Sequence, residues 1–161
     1  MTLRATDTSA ITAGGALDIT GSVVGQGKTL ALSAGAAVSF GQLAVDGGLT
    51  LTGAGSISQS GALKVEGPTR ITALGKIVTL DNSDNDFIGE VAVSSAALSV
   101  RDRNSLLMSF VTTGATRVVT GGTIAVGGSV TGAGLTLDAG GAVMLAQTSV
   151  GGALAVNAAG S

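Results

Sequence analysis

The sequence predicts an all-β protein, a parallel β-helix (solenoid) with three strands in each turn and about eight turns of about 19–20 residues. Short segments in which large apolar residues flank a small or polar one recur along the 161 residues. They form three interleaved series with one shared period, and glycine fills most of the gaps between them. Three strands and three corners in each period are typical of a β-solenoid. We therefore expect residues 1–161 to form a single β-helix domain.

The three series define the predicted strands. The first contains Ile19, Val38, Ile57, Val78, Leu98, Val118, Leu135 and Leu154. The second contains Val24, Leu43, Leu63, Phe87, Leu106, Ile124 and Val143. The third contains Ile11, Leu30, Leu49, Ile71, Val91, Val111, Val130 and Val150. The widest step, from Leu63 to Phe87, spans Pro68 and the polar run "DNSDND", which predicts an inserted loop at about residues 81–86.

Alternation within the segments predicts the core. Successive side chains of a strand point to opposite faces, so we expect Leu135 and Leu137 to face inward and Thr136 to face water. Glycine reaches positive φ without steric cost, which suits a chain that turns sharply every few residues. The predicted corner glycines are Gly127, Gly128, Gly132, Gly134, Gly140, Gly141, Gly151 and Gly152. A two-sheet sandwich, with strand pairs joined by tight hairpins, is the rival architecture.

The two ends of a β-helix expose strand edges and apolar core. Two arrangements would cover them. Either the terminal segments "TLRATDTSA" and "VNAAGS" fold over the ends, or copies of the chain associate head to tail.

The composition excludes several function classes. The chain has no Cys and no His, which removes thiolate nucleophiles, imidazole ligands and the usual catalytic triads. A net charge of -2 and the lack of Tyr and Trp argue against nucleic acid as a partner. The uncharged stretch Val118 to Leu137 is studded with Gly and Thr and alternates at period two, unlike a membrane-spanning helix. We expect no membrane insertion and no cofactor.

The stretch "GSVVGQGKTL" resembles a phosphate-binding loop, because Gly27, Lys28 and Thr29 supply its last three positions. The first glycine of that pattern would stand at position 22, which is Ser22. The following residues alternate as a strand, whereas a phosphate loop leads into a helix. We expect a turn between two strands and no nucleotide.

Acidic residues of the predicted loop are the candidates for a metal site. Asp81, Asp84 and Asp86 supply the clustered oxygen ligands that calcium prefers. The calcium-loop pattern would require Gly and Glu where the chain has Asp86 and Ala92. We therefore favour an Asn/Asp-rich turn whose side chains cap local N–H groups.

A polysaccharide-cleaving enzyme is a further alternative. Glycoside hydrolysis needs two carboxylates a few ångströms apart, and Asp102 with Asp81 or Asp84 is the candidate pair. No aromatic residue that could stack on a sugar accompanies them, and Asp102 lies between two arginines in "VRDRN". We expect no catalytic residues in the chain.

Outward-facing residues form two further candidate surfaces. Next to the first series lie Asp18, Ser39, Ser58, Thr79, Ser99 and Thr136, a polar row that is too mixed to favour ice binding. Next to the second series lie Ala44, Lys64, Leu107, Ala125 and Met144, a partly apolar row suited to lateral packing or contact with a partner.

The segment Ile77 to Phe110 resembles the repeat of filamentous haemagglutinin-like exoproteins, adhesins exported by two-partner secretion. The similarity lies in "TLDN" with "NDFIGEV", in "LSVRDRNSL", and later in "GLTLDAGGAVML" and "VGGALAVNAAG". The resemblance implies a right-handed β-helical stalk. No amino-terminal secretion domain is evident, which fits an internal fragment of a larger exoprotein.

The resemblance also implies a function and a location. The chain would be a non-catalytic spacer of a secreted or surface-anchored bacterial adhesin and would contribute to cell adhesion. Host-cell glycan or protein would bind to other parts of the parent protein. Direct binding of such a ligand, through the predicted loop or through the second-series surface, is the alternative.

Overall fold

The computed structural model describes residues 2–4, 9–24 and 27–160, with side chains for residues 9–21 and 27–160. The described residues form seventeen β-strands, and every pairing between them is parallel. The strands are β1 (Thr2–Arg4), β2 (Ser9–Ala13), β3 (Leu17–Val24), β4 (Leu30–Ala34), β5 (Val38–Val45), β6 (Leu49–Gly53), β7 (Ile57–Gln59), β8 (Leu63–Val65), β9 (Thr69–Leu80), β10 (Asp86–Phe87), β11 (Val91–Asp102), β12 (Leu106–Thr112), β13 (Thr116–Thr120), β14 (Ile124–Val130), β15 (Leu135–Ala139), β16 (Val143–Val150) and β17 (Leu154–Ala158).

The strands stack into three ladders, which we call faces A, B and C in the order in which the chain visits them. Face A contains β2, β4, β6, the starts of β9 and β11, and the ends of β12, β14 and β16. Face B contains the starts of β3 and β5, then β7, the ends of β9 and β11, and β13, β15 and β17. Face C contains β1, the ends of β3 and β5, then β8, β10 and the starts of β12, β14 and β16.

This arrangement confirms the predicted parallel β-solenoid of about eight turns. One column of face B contains a residue from each turn, and it runs through Leu17, Val38, Ile57, Val78, Leu98, Thr116, Leu135 and Leu154. The first, second and third series correspond to faces B, C and A. Because the strands pair in parallel with their counterparts one turn away, the sandwich interpretation is wrong.

The predicted register is wrong in places, because a strand has two or more inward positions and the series do not always contain the same one. Ile19 pairs with Phe40 and Val118 with Leu137, so both lie two positions past the column in which they were placed. Such a shift of two keeps a side chain on the same side of the strand. The same shift affects Phe87, which pairs with Val65, and Ile11 and Ile71, which pair with Leu32 and Leu51.

Two members of the series are displaced by an odd number of positions. Val111 is three positions past Met108, which pairs with Val91; it faces outward, and the inward position beside it belongs to Thr112, which pairs with Val130. The alternation of β12 is unbroken from Leu106 to Thr112, and it places Val111 on the outer side. Val23 pairs with Val45, so Val24 is not in the column of Leu43; the side chain of Val24 lies outside the described residues.

The interior is a continuous apolar column. It extends from Leu30 in β4 to Ala139 in β15, and Ile11, Leu17, Ile19, Val143 and Val150 pack against it at the two ends. Leu135 and Leu137 are buried and Thr136 is partly exposed, as predicted. Burial of one Leu, Val or Phe side chain stabilises the fold by about 1.5–3 kcal/mol.

Glycine serves the corners mainly through its small size. Among the described glycines, only Gly21, Gly27, Gly75 and Gly128 have a positive φ, so the expected backbone reason is wrong for most corners. Gly35 stacks on Gly14 of the preceding turn, and a Cβ on Gly35 would overlap the Gly14 carbonyl. Gly127 and Gly128 lie within β14, not at a corner.

The stretch Val118 to Leu137 contributes to β13, β14 and β15. No helix capable of crossing a membrane is found in the described ranges. The inserted loop occupies residues 81–85, between β9 and β10.

Candidate functional site

The predicted site residues meet at one corner of the solenoid, between faces B and C. We call residues 81–86 and 101–104 the acidic corner. The pairing of Leu80 with Val100 places the inserted loop beside the turn that follows β11. Asp81 and Asp84 are exposed, whereas Asn85, Asp86 and Asp102 are buried.

Asn85 is the centre of the corner. Its Oδ1 accepts hydrogen bonds from Gln59 Nε2 at 2.8 Å and from the backbone N of Leu63 at 2.9 Å. Its Nδ2 donates to Gln59 Oε1 at 2.9 Å and to the carbonyls of Leu80 at 3.0 Å and Arg101 at 3.1 Å. One buried amide therefore joins three consecutive turns, with both of its polar atoms satisfied.

Asp102 uses both carboxylate oxygens to hold backbone groups. Oδ2 accepts from the N of Phe87 at 2.7 Å, and Oδ1 accepts from the N of Asn104 at 2.7 Å. Burial raises the pKa of Asp102 above its ordinary value of 3.8, although these two hydrogen bonds act to lower it. Asp86, which also faces this carboxyl, raises the pKa further, and Arg103 lowers it.

Asp86 is tied to the turn that follows it. Its Oδ2 lies 3.0 Å from Arg103 Nη2, and its Oδ1 accepts from Asn104 Nδ2 at 3.0 Å. This places Asp86 in a structural ion pair at the base of the corner. The backbone N of Arg103 also donates to the carbonyl of Asn85 at 2.9 Å, so the two turns are bound at several points.

The calcium candidates do not converge. Within the described residues, no three acidic side chains lie close enough together to hold a metal ion. The exposed part of the loop is instead closed by Asn82, whose Oδ1 accepts from the N of Asp84 at 2.9 Å and whose carbonyl accepts from the N of Asn85 at 3.3 Å. These contacts are those of the side-chain-capped turn.

The proposed carboxylate pair is not assembled for acid–base chemistry. Asp102 is buried and both of its oxygens accept backbone hydrogen bonds, while Asp81 and Asp84 are exposed on the loop. A shallow depression of about 330 Å³ lies beside the corner. Its lining consists of Ser83, Arg101, Asp102, Arg103, Val119, Thr120 and Gly121.

A second candidate surface, which the sequence reasoning missed, is a groove of about 520 Å³ on the outer side of face A. We call it the face A groove. Beside and beyond it, a row of mostly hydroxyl residues follows the solenoid: Thr12, Ser33, Thr52, Thr72, Ser94, Val111, Ser129 and Ser149. The sequence reasoning could have placed Thr12 and Thr72 here as the outward neighbours of Ile11 and Ile71, but the rest of the row depends on the register between turns.

Charge in the face A groove comes from Arg70. Its lining consists of Arg70, Ile71, Thr72, Ala92, Val93, Ser94, Ser109, Phe110, Val111, Gly127, Gly128, Ala146 and Gln147. Arg70 is exposed and forms no ion pair with any described residue. Glu90, near the groove, accepts a hydrogen bond from Ser109 at 3.1 Å.

The two predicted outward rows are partly confirmed. Beside the first series, Asp18, Ser39, Ser58, Thr79 and Ser99 lie in one column as expected, but Arg117 stands between Ser99 and Thr136. Beside the second series, Leu107, Ala125 and Met144 form one column. Lys64 of this row pairs with Asp86, whose side chain is buried.

The stretch that resembles a phosphate-binding loop leads into a strand and not into a helix. Gly27 has a positive φ in a turn, and the chain enters strand β4 at Leu30. The side chain of Ser22 lies outside the described residues. The predicted strand after Thr29 is thus confirmed, and the geometry lacks the helix N-terminus of a phosphate loop.

Residues 27–94 match a family described as repeats of unknown function (DUF5649). The match extends from the turn before β4 into β11, and the chain is similar to this family over that segment. No curated protein and no solved structure matches the chain.

Proposed function

We propose that the chain is a non-catalytic structural rod, the stalk or spacer of a secreted or surface-anchored bacterial adhesin. The observation that carries the proposal is the unbroken apolar column from Leu30 to Ala139, enclosed by three parallel ladders. Such a column supplies rigidity along an axis. At about 4.8 Å between strands, about eight turns give a rod near 40 Å long.

The stiffness of the rod follows from its hydrogen bonds. Ladders join the turns on faces A and B throughout, and on face C everywhere except between β10 and β12, so bending toward one face must lengthen the ladder bonds on another. The corners add further hydrogen bonds: the N of Gly141 donates to the carbonyl of Gly122 at 3.0 Å, and the N of Gly55 donates to the carbonyl of Ala36 at 3.1 Å. A spacer needs this property and needs no catalytic group.

Residues that carry the resemblance to the haemagglutinin-like exoproteins support a structural role. The segments "NDFIGEV" and "LSVRDRNSL" contain Asn85, Asp86, Asp102 and Arg103, which bind the acidic corner together. The polar groups of these side chains bond to groups of the neighbouring turns. We infer from this resemblance that the parent protein is exported by two-partner secretion and that other parts of it bind host glycan or protein.

The proposal is tested by measuring whether the purified chain binds ligands itself. We expect no saturable binding on an array of host glycans and none to intact host cells. Saturable binding that is lost in Arg70→Ala or in Asp84→Ala would overturn the spacer function. Both side chains are exposed, so circular dichroism of the variants should match the unchanged protein.

The face A groove favours a second candidate function, direct binding of a glycan or protein. It combines an exposed guanidinium, Arg70, with the free hydroxyls of Thr72 and Ser94 along one line. In the binding experiment, loss of signal in Arg70→Ala but not in Asp84→Ala would assign the ligand to this groove.

A further inference from the structure

The outer side of face A has a single charge in its middle. Of the outward side chains described on its strands, all except Arg70 are uncharged, and most are Ala, Ser or Thr. Arg70 forms no ion pair with a described residue and lies at one end of the face A groove. A guanidinium in such a surface is suited to a carboxylate, to which it can donate two parallel hydrogen bonds.

The inserted loop presents carboxylates on the opposite side of the solenoid. Because the solenoid has three faces, the corner between faces B and C lies across the core from face A. Asp81 and Asp84 are exposed on this loop, and neither forms an ion pair with a described residue. Asn85 bonds the base of the loop to three consecutive turns. The two carboxylates are therefore held in place before any partner arrives, which lowers the entropic cost of binding.

The cation and the acidic loop lie at the same height along the axis. Strand β9 carries Arg70 on face A and ends at Leu80 on face B, directly before the loop. Both features thus belong to one turn, and their heights differ by less than one strand spacing, about 4.8 Å. The next turn has the opposite arrangement, because exposed Glu90 precedes β11 at the start of face A and exposed Arg101 lies near the end of that strand.

These features lie in the interior of the solenoid, with β4 and β6 before them and β12 and β14 after them on face A. At the last described turn, Val156 to Ala158 belong to β17, and the N of Ala159 donates to the carbonyl of Ala139 at 2.9 Å. The expectation that the segment "VNAAGS" folds over the end is therefore wrong for residues 156–159. The charges on face A and at the acidic corner do not depend on those residues.

We propose that face A binds the acidic corner of a second copy that stands beside the first, with parallel axes and the same turns at the same height. Asp81 or Asp84 of one copy then pairs with Arg70 of the other, and in the next turn Arg101 pairs with Glu90. Reversal of one copy would align different turns and would lose one of these pairs. The inference is independent of the spacer function, since it depends only on these two surfaces.

The contact is heterologous, because the groove and the loop are different surfaces on opposite sides of the chain. Each added copy leaves a free groove on one side and a free loop on the other. Copies therefore form a row of solenoids that point the same way. One loop in one groove is a small contact, so we expect weak pairing of free chains and stronger association where many copies are held together.

Charge reversal tests the contact. Arg70→Asp makes the groove acidic, and Asp81→Arg combined with Asp84→Arg makes the loop basic. All three side chains are exposed, so circular dichroism of the variants should match the unchanged chain. In sedimentation velocity at high protein concentration, we expect the unchanged chain to associate and each variant alone to lose about tenfold or more in affinity. An equal mixture of the two variants should associate again, because each loop then meets a groove of opposite charge.

The matched control is Lys76→Asp. Lys76 is exposed in the same turn as Arg70 and does not line the face A groove, so this reversal should leave association unchanged. High salt should weaken the pairing of the unchanged chain, since the proposed contact depends on exposed charges.

Cross-linking identifies the surfaces that meet, because the chain has no cysteine of its own. Ser83→Cys marks the loop, and Ser94→Cys marks the groove. On oxidation, a mixture of these two variants should form disulfide-linked pairs. The control mixture, Ser83→Cys with Ser58→Cys at an exposed position of face B, should form far fewer.

Three results would overturn the proposal: equal cross-linking to the two positions, a mixture of charge-reversed variants that stays monomeric, or association that survives Arg70→Asp. Absence of association together with a glycan signal that is lost in Arg70→Ala would also overturn it, and would assign the face A groove to a glycan instead.

Discussion

Gln59 and Asn85 exchange two side-chain hydrogen bonds across adjacent turns, with Nε2 to Oδ1 at 2.8 Å and Nδ2 to Oε1 at 2.9 Å. The pair lies where the inserted loop returns to face C. It provides the cross-turn bonding that the backbone ladder lacks at this point. The loop is therefore fixed to the solenoid by buried amides, not by apolar packing alone.

We expect Asn85→Asp to destabilise the chain by about 3 kcal/mol or more, because it buries a charge and removes both donors of Nδ2. The carbonyls of Leu80 and Arg101 would lose their side-chain partner. Urea unfolding measures the change. Asn82→Asp is the matched control: an Asp oxygen can still accept from the N of Asp84, so its effect should stay within about 0.5 kcal/mol. Equal effects of the two substitutions would contradict the role of Asn85.

We expect Thr69→Val to stabilise the chain by about 1 kcal/mol. The buried Oγ1 of Thr69 has no hydrogen-bond partner, and its column neighbours are Leu49 and Val91. Thr116→Val is the matched control, because that hydroxyl is hydrogen-bonded to Thr112 Oγ1 at 2.6 Å. It should cost about 1–3 kcal/mol by leaving the Thr112 hydroxyl unpaired. Thermal unfolding of both variants should shift in opposite directions.

Two aspartates should give opposite pH dependences. The folded pKa of Asp102 is raised above 3.8, so its contribution to stability is fully present below that value and is lost as the pH rises through the folded pKa. The hydrogen bond from Asn157, and then Arg117, lowers the pKa of Asp138, so its contribution is present at higher pH and is lost as the pH falls.

Urea unfolding across the acid range measures these slopes. Relative to the unchanged chain, Asp102→Asn should remove a component of stability that declines with rising pH. Asp138→Asn should remove a component that increases with rising pH, and a small one, because the side chain lies at the surface and is partly exposed to solvent. Identical pH profiles of Asp102→Asn and the unchanged chain would refute the effect of burial.

Stacked glycines at one corner should respond differently to the same substitution. A Cβ at Gly35 would overlap the carbonyl of Gly14, so Gly35→Ala should cost about 1–3 kcal/mol. Around Gly14 no atom lies within 4 Å of an added Cβ, and Gly14→Ala should be neutral or stabilise by up to about 1 kcal/mol. Urea unfolding of both variants measures their free energies of unfolding. If Gly14→Ala destabilised the chain as much as Gly35→Ala, backbone conformation and not close stacking would be the reason for glycine at this corner.

The sequence was sufficient to predict the architecture, because alternation and a shared period are local signals. It was also sufficient to place Leu135 and Leu137 inward, because the alternation of side chains along a single strand determines those positions. Val111 was misplaced because the inward position beside it holds a polar residue, Thr112, which a search for apolar residues passes over. The role of Asn85 was also missed, because its partner Gln59 is distant in sequence and nothing local marks the pairing.

Because each turn rests on the next through the same columns, a segment such as residues 116–134 can be gained or lost without disturbing the turns on either side. On loss of that segment, Leu135 would take the place of Thr116 in their column. Unequal recombination between such segments of a gene would change the length of the solenoid in discrete steps. Length is thus a trait on which selection can act while the core chemistry stays the same.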